Sequence, residues 1–253
     1  EADVVKNDGR YLYLIASEHF SIVDTKTMQR VYQSDIQPKE KNAHYYFSNL
    51  YVQDNRLVVI GMLYEDEDSS GEVFVRNGVA ADRMMPYYRQ QRVVTLVYDV
   101  TDRSRPVLQR VDTQDGYTES SRMVGSVLYT VTSYGVDIFD KTAVKENYVP
   151  TVNGKKLSCN EIYVKDPAAN DTTYILLTAL DTADPKAEVE KISLLGRCDE
   201  LYCSADTLYV LNNVDRWGDE DEYDGRNTTE IYAFALDGMS LSLKASGVVP
   251  GTI

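Results

Sequence analysis

Apolar residues along this chain gather in short runs rich in Val, Ile, Leu, Tyr and Thr, separated by Asp, Asn, Gly and Ser. Runs of that make-up between turn-forming residues predict β-strands. Nowhere is the 3.6-residue apolar spacing of a helix sustained over ten or more positions. That argues against a parallel α/β sheet, which needs long helical crossovers.

One pattern occurs four times: an apolar strand, a tight polar turn, and a second apolar strand usually carrying a tyrosine. The copies span residues 4–16, 50–61, 122–132 and 201–212. A third strand ending in an acidic residue follows each, at 20–24, 93–99, 174–181 and 231–237. Asp24, Asp99, Asp181 and Asp237 suit those ends because a short carboxylate caps a turn by accepting nearby backbone N–H groups. A more polar fourth strand closes each unit, at 29–34, 106–112, 189–195 and 241–249, as fits the outer edge of a sheet. Four-stranded units repeated in this way predict an all-β fold, the β-propeller. The blades are expected at about 1–38, 48–113, 118–196 and 199–250, as one domain or partial propeller over 1–253. The third unit leaves a five-blade count open. Val136-Asp137-Ile138-Phe139-Asp140 also resembles a third strand, and Glu161-Ile162-Tyr163-Val164 has the pattern to open a separate unit.

Residues 64–91, 134–172 and 214–228 interrupt the repeat, each between a second and a third strand. They are expected to project from one face of the disc, and insertions confined to one face often mark the binding face. The candidate binding residues lie there: Arg216, Trp217 and Tyr223 in the last insertion, Tyr87 and Tyr88 in the first. Trp217, the single tryptophan, either stacks on a sugar or protein partner or packs against a neighbouring blade. Tyr87 and Tyr88, next to Met84 and Met85, form either an adaptable contact surface or a loop folded onto the disc. The strand tyrosines Tyr13, Tyr129, Tyr209 and Tyr232 read as packing between blades.

Net charge is −14 over 253 residues. That balance argues against nucleic acid and against anionic lipid as partners, since both require clustered Lys and Arg. No apolar run reaches the roughly 20 residues of a membrane helix, so no direct membrane insertion is expected. The chain opens on Glu1 with no signal-like start, which suggests a processed or excised segment.

The segment 219–224 carries the oxygen ligands calcium prefers, but its spacing departs from the twelve-residue loop and Glu230 lies too close to complete it. It reads as a solvated acidic loop, as does 65–68, and no metal site is expected. Two histidines, His19 at a turn and His44 in a polar loop, and three cysteines, Cys159, Cys198 and Cys203, make no zinc set. Pairing of Cys198 with Cys203 or Cys159 is conceivable; the plainer reading is small buried hydrophobes. There is no Gly-x-Ser-x-Gly turn and no phosphate-binding glycine loop, so no catalytic residue and no cofactor is assigned.

The phrase running from Tyr98-Asp99-Val100-Thr101-Asp102-Arg103 to Pro106, and the one from Asp115-Gly116-Tyr117 to Met123, resemble the core signature of a family of bacterial secreted proteins. Its members carry a C-terminal β-propeller distantly related to tryptophan–aspartate repeat propellers. The opening Glu1 to Gly9 and the closing Ser246 to Ile253 are similar to that family too. The resemblance implies a secreted or cell-surface location in a bacterium, and it brings no activity or catalytic residue. In the family's pattern the propeller continues past the Val-Pro-Gly-Thr phrase. The resemblance therefore implies a segment of a seven- or eight-bladed propeller whose uncovered blade faces favour self-association. The function expected is a non-enzymatic extracellular recognition or scaffold module presenting loops to a protein or glycan. The alternative is a hydrolase of extracellular polymer acting through Glu67, Asp219 or Glu222, which requires paired carboxylates roughly 5–10 Å apart.

Overall fold

The computed structural model describes residues 2–65, 75–76, 79–80, 91–136, 148–165, 171–214 and 227–253. The chain divides into two compact units, Asp3–Val111 and Asp112–Ile253, the second including Glu1–Ala2. Among the described residues no helix is long and apolar enough to cross a membrane.

In the first unit, β1 (Val5–Asn7), β2 (Tyr11–Ala16), β3 (His19–Asp24) and β4 (Gln29–Gln33) form an antiparallel sheet in chain order. The second sheet follows with β5 (Ala43–Gln53), β6 (Arg56–Glu65), β9 (Arg92–Asp99) and β10 (Val107–Asp115). Between β6 and β9, the short strands β7 (Val75–Arg76) and β8 (Val79–Ala80) pair with each other. The core joins Tyr13, Phe20 and Ile22 of the first sheet to Tyr45, Phe47, Leu57, Val59, Leu96 and Tyr98 of the second. Phe20 meets Tyr98 edge-on, ring centroids 5.0 Å apart. Each such side chain contributes about 1.5–3 kcal/mol by leaving water.

In the second unit, β11 (Tyr117–Val124), β12 (Val127–Gly135), β16 (Thr173–Asp181) and β17 (Glu190–Leu195) make the third sheet. Its insertion contains β13 (Thr151–Val152), β14 (Lys155–Lys156), a 3-10 turn (Cys159–Glu161) and β15 (Ile162–Val164). The fourth sheet is β18 (Glu200–Cys203), β19 (Thr207–Val214), β20 (Thr228–Asp237) and β21 (Ser240–Pro250). Here the core sets Tyr129, Val131, Leu177 and Ile192 against Leu208, Val210, Tyr232 and Phe234.

All four third strands lie where the repeat places them. The carboxylates of Asp24, Asp99 and Asp181 cap their turns, accepting the N–H of Lys26, Thr101 and Ala183 at 2.8, 2.8 and 2.9 Å. Residues 162–164 open no separate sheet; β15 adds to β17 of the third sheet in parallel register. Of the other five-blade candidate, 137–140 lies outside the described residues. His19 and His44 stand in strands β3 and β5 rather than at a turn and in a polar loop. The early half of β5 escapes an alternation pattern because a bulge between Phe47 and Asn49 shifts the register. Tyr45, Phe47 and Leu50 are consequently all buried despite their uneven spacing.

Gly61 on β6 sits where β5 crosses closest: a Cβ there would lie 2.8 Å from the Phe47 Cα and closer still to the Tyr46 carbonyl oxygen. Gly61→Ala should cost about 1–3 kcal/mol, seen as a lower urea midpoint at unchanged slope. Gly247→Ala, with nothing within 4 Å, should leave the midpoint in place.

Candidate functional site

Two polar junctions tie neighbouring sheets together, one in each unit. In the first unit the turn between β9 and β10 carries Arg103 into the first sheet. Its Nε donates to the Tyr13 hydroxyl at 3.2 Å. Nη1 donates to Asn55 Oδ1 at 2.7 Å and the Thr101 carbonyl at 3.4 Å. Nη2 donates to Asp8 Oδ2 at 3.2 Å and the Asp54 carbonyl at 3.3 Å. A guanidinium has five N–H donors, and here all five are engaged. The group also lies 5.8 Å from the centre of the Tyr11 ring. No donor is left for a phosphate or carboxylate ligand, so this arginine is a clamp and not an anion site.

Asp8 completes the clamp. Burial pushes its carboxyl up, but the backbone N–H groups of Tyr11 and Arg10, the Tyr13 phenol and Arg103 outweigh that and hold it below the usual carboxylate range. The Tyr13 phenol is pushed up to about 12, by burial first and by Asp8 beside it. It stays protonated and donates to Asp8 Oδ2 at 2.9 Å.

In the second unit Tyr129 occupies the matching place on β12, and its hydroxyl donates to the Gly238 carbonyl at 2.6 Å. Gly238 lies in the turn between β20 and β21, just as Arg103 lies in the turn between β9 and β10. Arg122, directly across from Tyr129, donates through Nη1 to the Cys203 carbonyl at 3.1 Å. A crevice lined by Ser120, Arg122, Tyr129, Leu177, Cys203 and Leu208 encloses about 10 Å³. That is the room of one water, too little for a substrate.

Of the third sheet's insertion, residues 148–165 are held by two sheets: β13 pairs with β10 of the second sheet, and β15 with β17 of the third. Val152 and Leu157 bury against Leu176. Asn153 and Gly154 turn the β13–β14 hairpin with φ of 51° and 71°, the conformation two-residue hairpins favour. The Asn153 side chain accepts the Thr113 N–H at 2.8 Å and donates to Asp112 Oδ1 at 2.8 Å. Lys191 pairs with Glu161 at 3.0 Å, and Lys165 with Glu230 of β20. At the base of the fourth sheet's insertion, Asn213 Oδ1 accepts from the Thr229 hydroxyl at 3.0 Å and its N–H donates to Asp199 Oδ2 at 2.6 Å.

Arg216, Trp217, Tyr223, Tyr87 and Tyr88 lie outside the described residues, as do Glu67, Asp219, Glu222 and the acidic run 219–224. Among the described residues no three His, Cys, Asp or Glu side chains come together as metal ligands. The three thiols are free, and Cys159 is exposed rather than buried because it sits in the 3-10 turn of the insertion. Burial pushes the Cys198 thiol up to about 12, and raises that of Cys203. From sequence, Tyr13 and Tyr129 have a packing role between blades, and none is assigned to Asp8, Arg103 or Gly238. Arg103 stands in an acidic turn beside Asp102, and all of its acceptors but the Thr101 carbonyl lie far from it in sequence.

The chain matches the family model for a beta propeller domain over residues 1–253. No curated protein matches it.

Two outcomes follow from this chemistry. Arg103→Lys keeps the charge but loses the fork, and should cost about 1.5–3 kcal/mol in urea unfolding. Because the folded-state carboxyl of Asp8 titrates below its unfolded value, its stabilisation is present above about pH 4 and lost as pH falls further. Asp8→Asn should therefore lie below the wild type in stability at pH 7 and converge with it in acid. Separately, an alkylating reagent at neutral pH should label Cys159 well before Cys198, read by peptide mass after short exposure.

Proposed function

Because the chain belongs to the beta propeller domain family, we propose that it is a non-enzymatic recognition scaffold. In this reading it acts outside a bacterial cell and presents loops to a protein or glycan. One observation carries it. Three of the four sheets place their long insertion on the same connection: β6 to β9, β12 to β16 and β19 to β20. A scaffold that varies its loops on one connection while keeping the sheets regular is how recognition surfaces are built on rigid folds.

The support from chemistry is in the same direction. The polar junctions of both units spend their hydrogen bonds on holding sheets together, and the half-buried thiols of Cys198 and Cys203 are pushed toward the protonated form by partial burial. The similarity of residues 98–106 and 115–123 to bacterial secreted propellers supports the extracellular placement. Arg216, Trp217, Tyr223, Tyr87 and Tyr88 are the proposed contact residues.

Trp217 gives the test its readout, since it is the single tryptophan. Titration with surface glycans or extracellular proteins should shift its emission, and Trp217→Ala with Arg216→Ala should weaken that binding by at least about tenfold, as central aromatic and arginine anchors do. Binding unaffected by both changes would overturn the assignment of these residues. Release of reducing ends from a polymer substrate would overturn the non-enzymatic reading.

A further inference from the structure

Asn153 is held fast by its side chain, while the residue after it is left free. Its Oδ1 accepts the Thr113 N–H and its Nδ2 donates to Asp112 Oδ1, both at 2.8 Å, across some forty positions of chain. Its own N–H donates to the Thr113 carbonyl, also at 2.8 Å. Asp112 is only 8% exposed, whereas Asn153 and Gly154 both face water. The Gly154 N–H has no hydrogen-bond partner among the described residues, and nothing lies within 4 Å of where a side chain on Gly154 would start. An electrophilic amide carbon therefore stands next to an unhindered backbone nitrogen.

In an Asn-Gly pair that nitrogen is a nucleophile. Once it loses its proton to hydroxide it bonds to the Asn153 Cγ, and the Cγ–Nδ2 bond breaks, Nδ2 leaving as ammonia. The product is a five-membered succinimide. Water then adds to one of its two carbonyl carbons and breaks that carbon's bond to the Gly154 nitrogen, leaving aspartate or isoaspartate. The fold opposes the first step. Ring closure draws Cγ back onto its own backbone, while the bonds to Asp112 and Thr113 draw it across to β10. The leaving group is also the donor to a carboxylate, the stronger kind of hydrogen bond.

We propose that Asn153 is a self-modification site, and that its conversion to an acid unlatches the β13–β14 hairpin for good. Opening of the hairpin releases the amide, the freed pair closes and loses ammonia, and the acid formed no longer fits. It has no N–H for Asp112 and sets a second carboxylate beside that one, which disfavours both charges. Isoaspartate also adds a main-chain atom to a two-residue turn, whose φ values of 51° and 71° belong to that length. With the turn undone, the contact of Val152 and Leu157 with Leu176 and the Thr151 N–H bond to Asp115 Oδ2 lose their anchor. The reaction needs only water and time, so residues 151–157 carry an irreversible clock set by how often the hairpin opens. The inference is independent of the recognition reading, since its test reads one turn and no ligand.

Folded protein kept in warm, mildly alkaline buffer should convert Asn153 at least about tenfold more slowly than the same chain in urea, the worth of one hydrogen bond to a charged partner. Peptide mass spectrometry reads the acid. The chain's other Asn-Gly pair, Asn77-Gly78, lies outside the described residues and is read in a separate peptide. Asp112→Ala should raise the folded rate at Asn153 by about tenfold with unchanged circular dichroism. Asn153→Asp, made directly, should exchange the backbone amides of 151–157 about tenfold faster than wild type, with no change in β16 or β17. Leu157, whose N–H donates to the Pro150 carbonyl at 3.1 Å, is the amide to follow. Equal rates in buffer and urea would overturn the proposal, as would an unchanged rate in folded Asp112→Ala. So would wild-type exchange in Asn153→Asp, which tests the latch without the Asp112 variant.

Discussion

The structure depends on one requirement: the apolar face of a twisted antiparallel sheet is stable only when another layer covers it. In the first unit that cover is the contact of Tyr13, Phe20 and Ile22 with Phe47, Leu57 and Leu96. In the second it is the contact of Tyr129, Val131 and Leu177 with Val210, Tyr232 and Phe234. Apolar contact alone tolerates sliding. The tyrosine hydroxyls remove that freedom, because a phenol at the rim of an apolar face satisfies its hydrogen bond at only one offset.

The repeat was legible because its signals are local. Third strands ending at Asp24, Asp99 and Asp181 combine β-branched residues with a carboxylate that caps its own turn, and both are visible in a short window. The Asn153-Gly154 hairpin was not singled out, because its partners Asp112 and Thr113 lie some forty positions earlier. Arg103 was hidden for the same reason: three of its acceptors, on Asp8, Tyr13 and Asn55, are far along the chain. Bulges obscured the rest. At Phe47–Asn49 and at Thr118–Ser120 the alternation of faces slips by one, so β5 and β11 read as shorter strands than they are. The strand tyrosines read from sequence as inter-blade packing; Tyr13, Tyr129 and Tyr232 are buried, and Tyr209 is half-buried.

The insertion of the third sheet shows how a loop is kept useful without being loose. Its hairpin is pinned by Asn153, its apolar residues rest on Leu176, and its end is held by charge pairs to Lys191 and Glu230. A segment tied at this many points loses little entropy on meeting a partner.

Arg103 and Asp8 stand 95 residues apart, and that separation has a meaning for the chain as it is made. A ribosome adding 5–20 residues per second needs roughly 5–20 s to deliver the arginine after the aspartate has appeared. During that interval the first sheet has its strands but not its latch, and its aromatic face waits for β5, β6 and β9. The nascent chain therefore carries a sticky, half-finished sheet until β9 and the turn after it have been made. Its solubility over those seconds rests on the acidic residues around it.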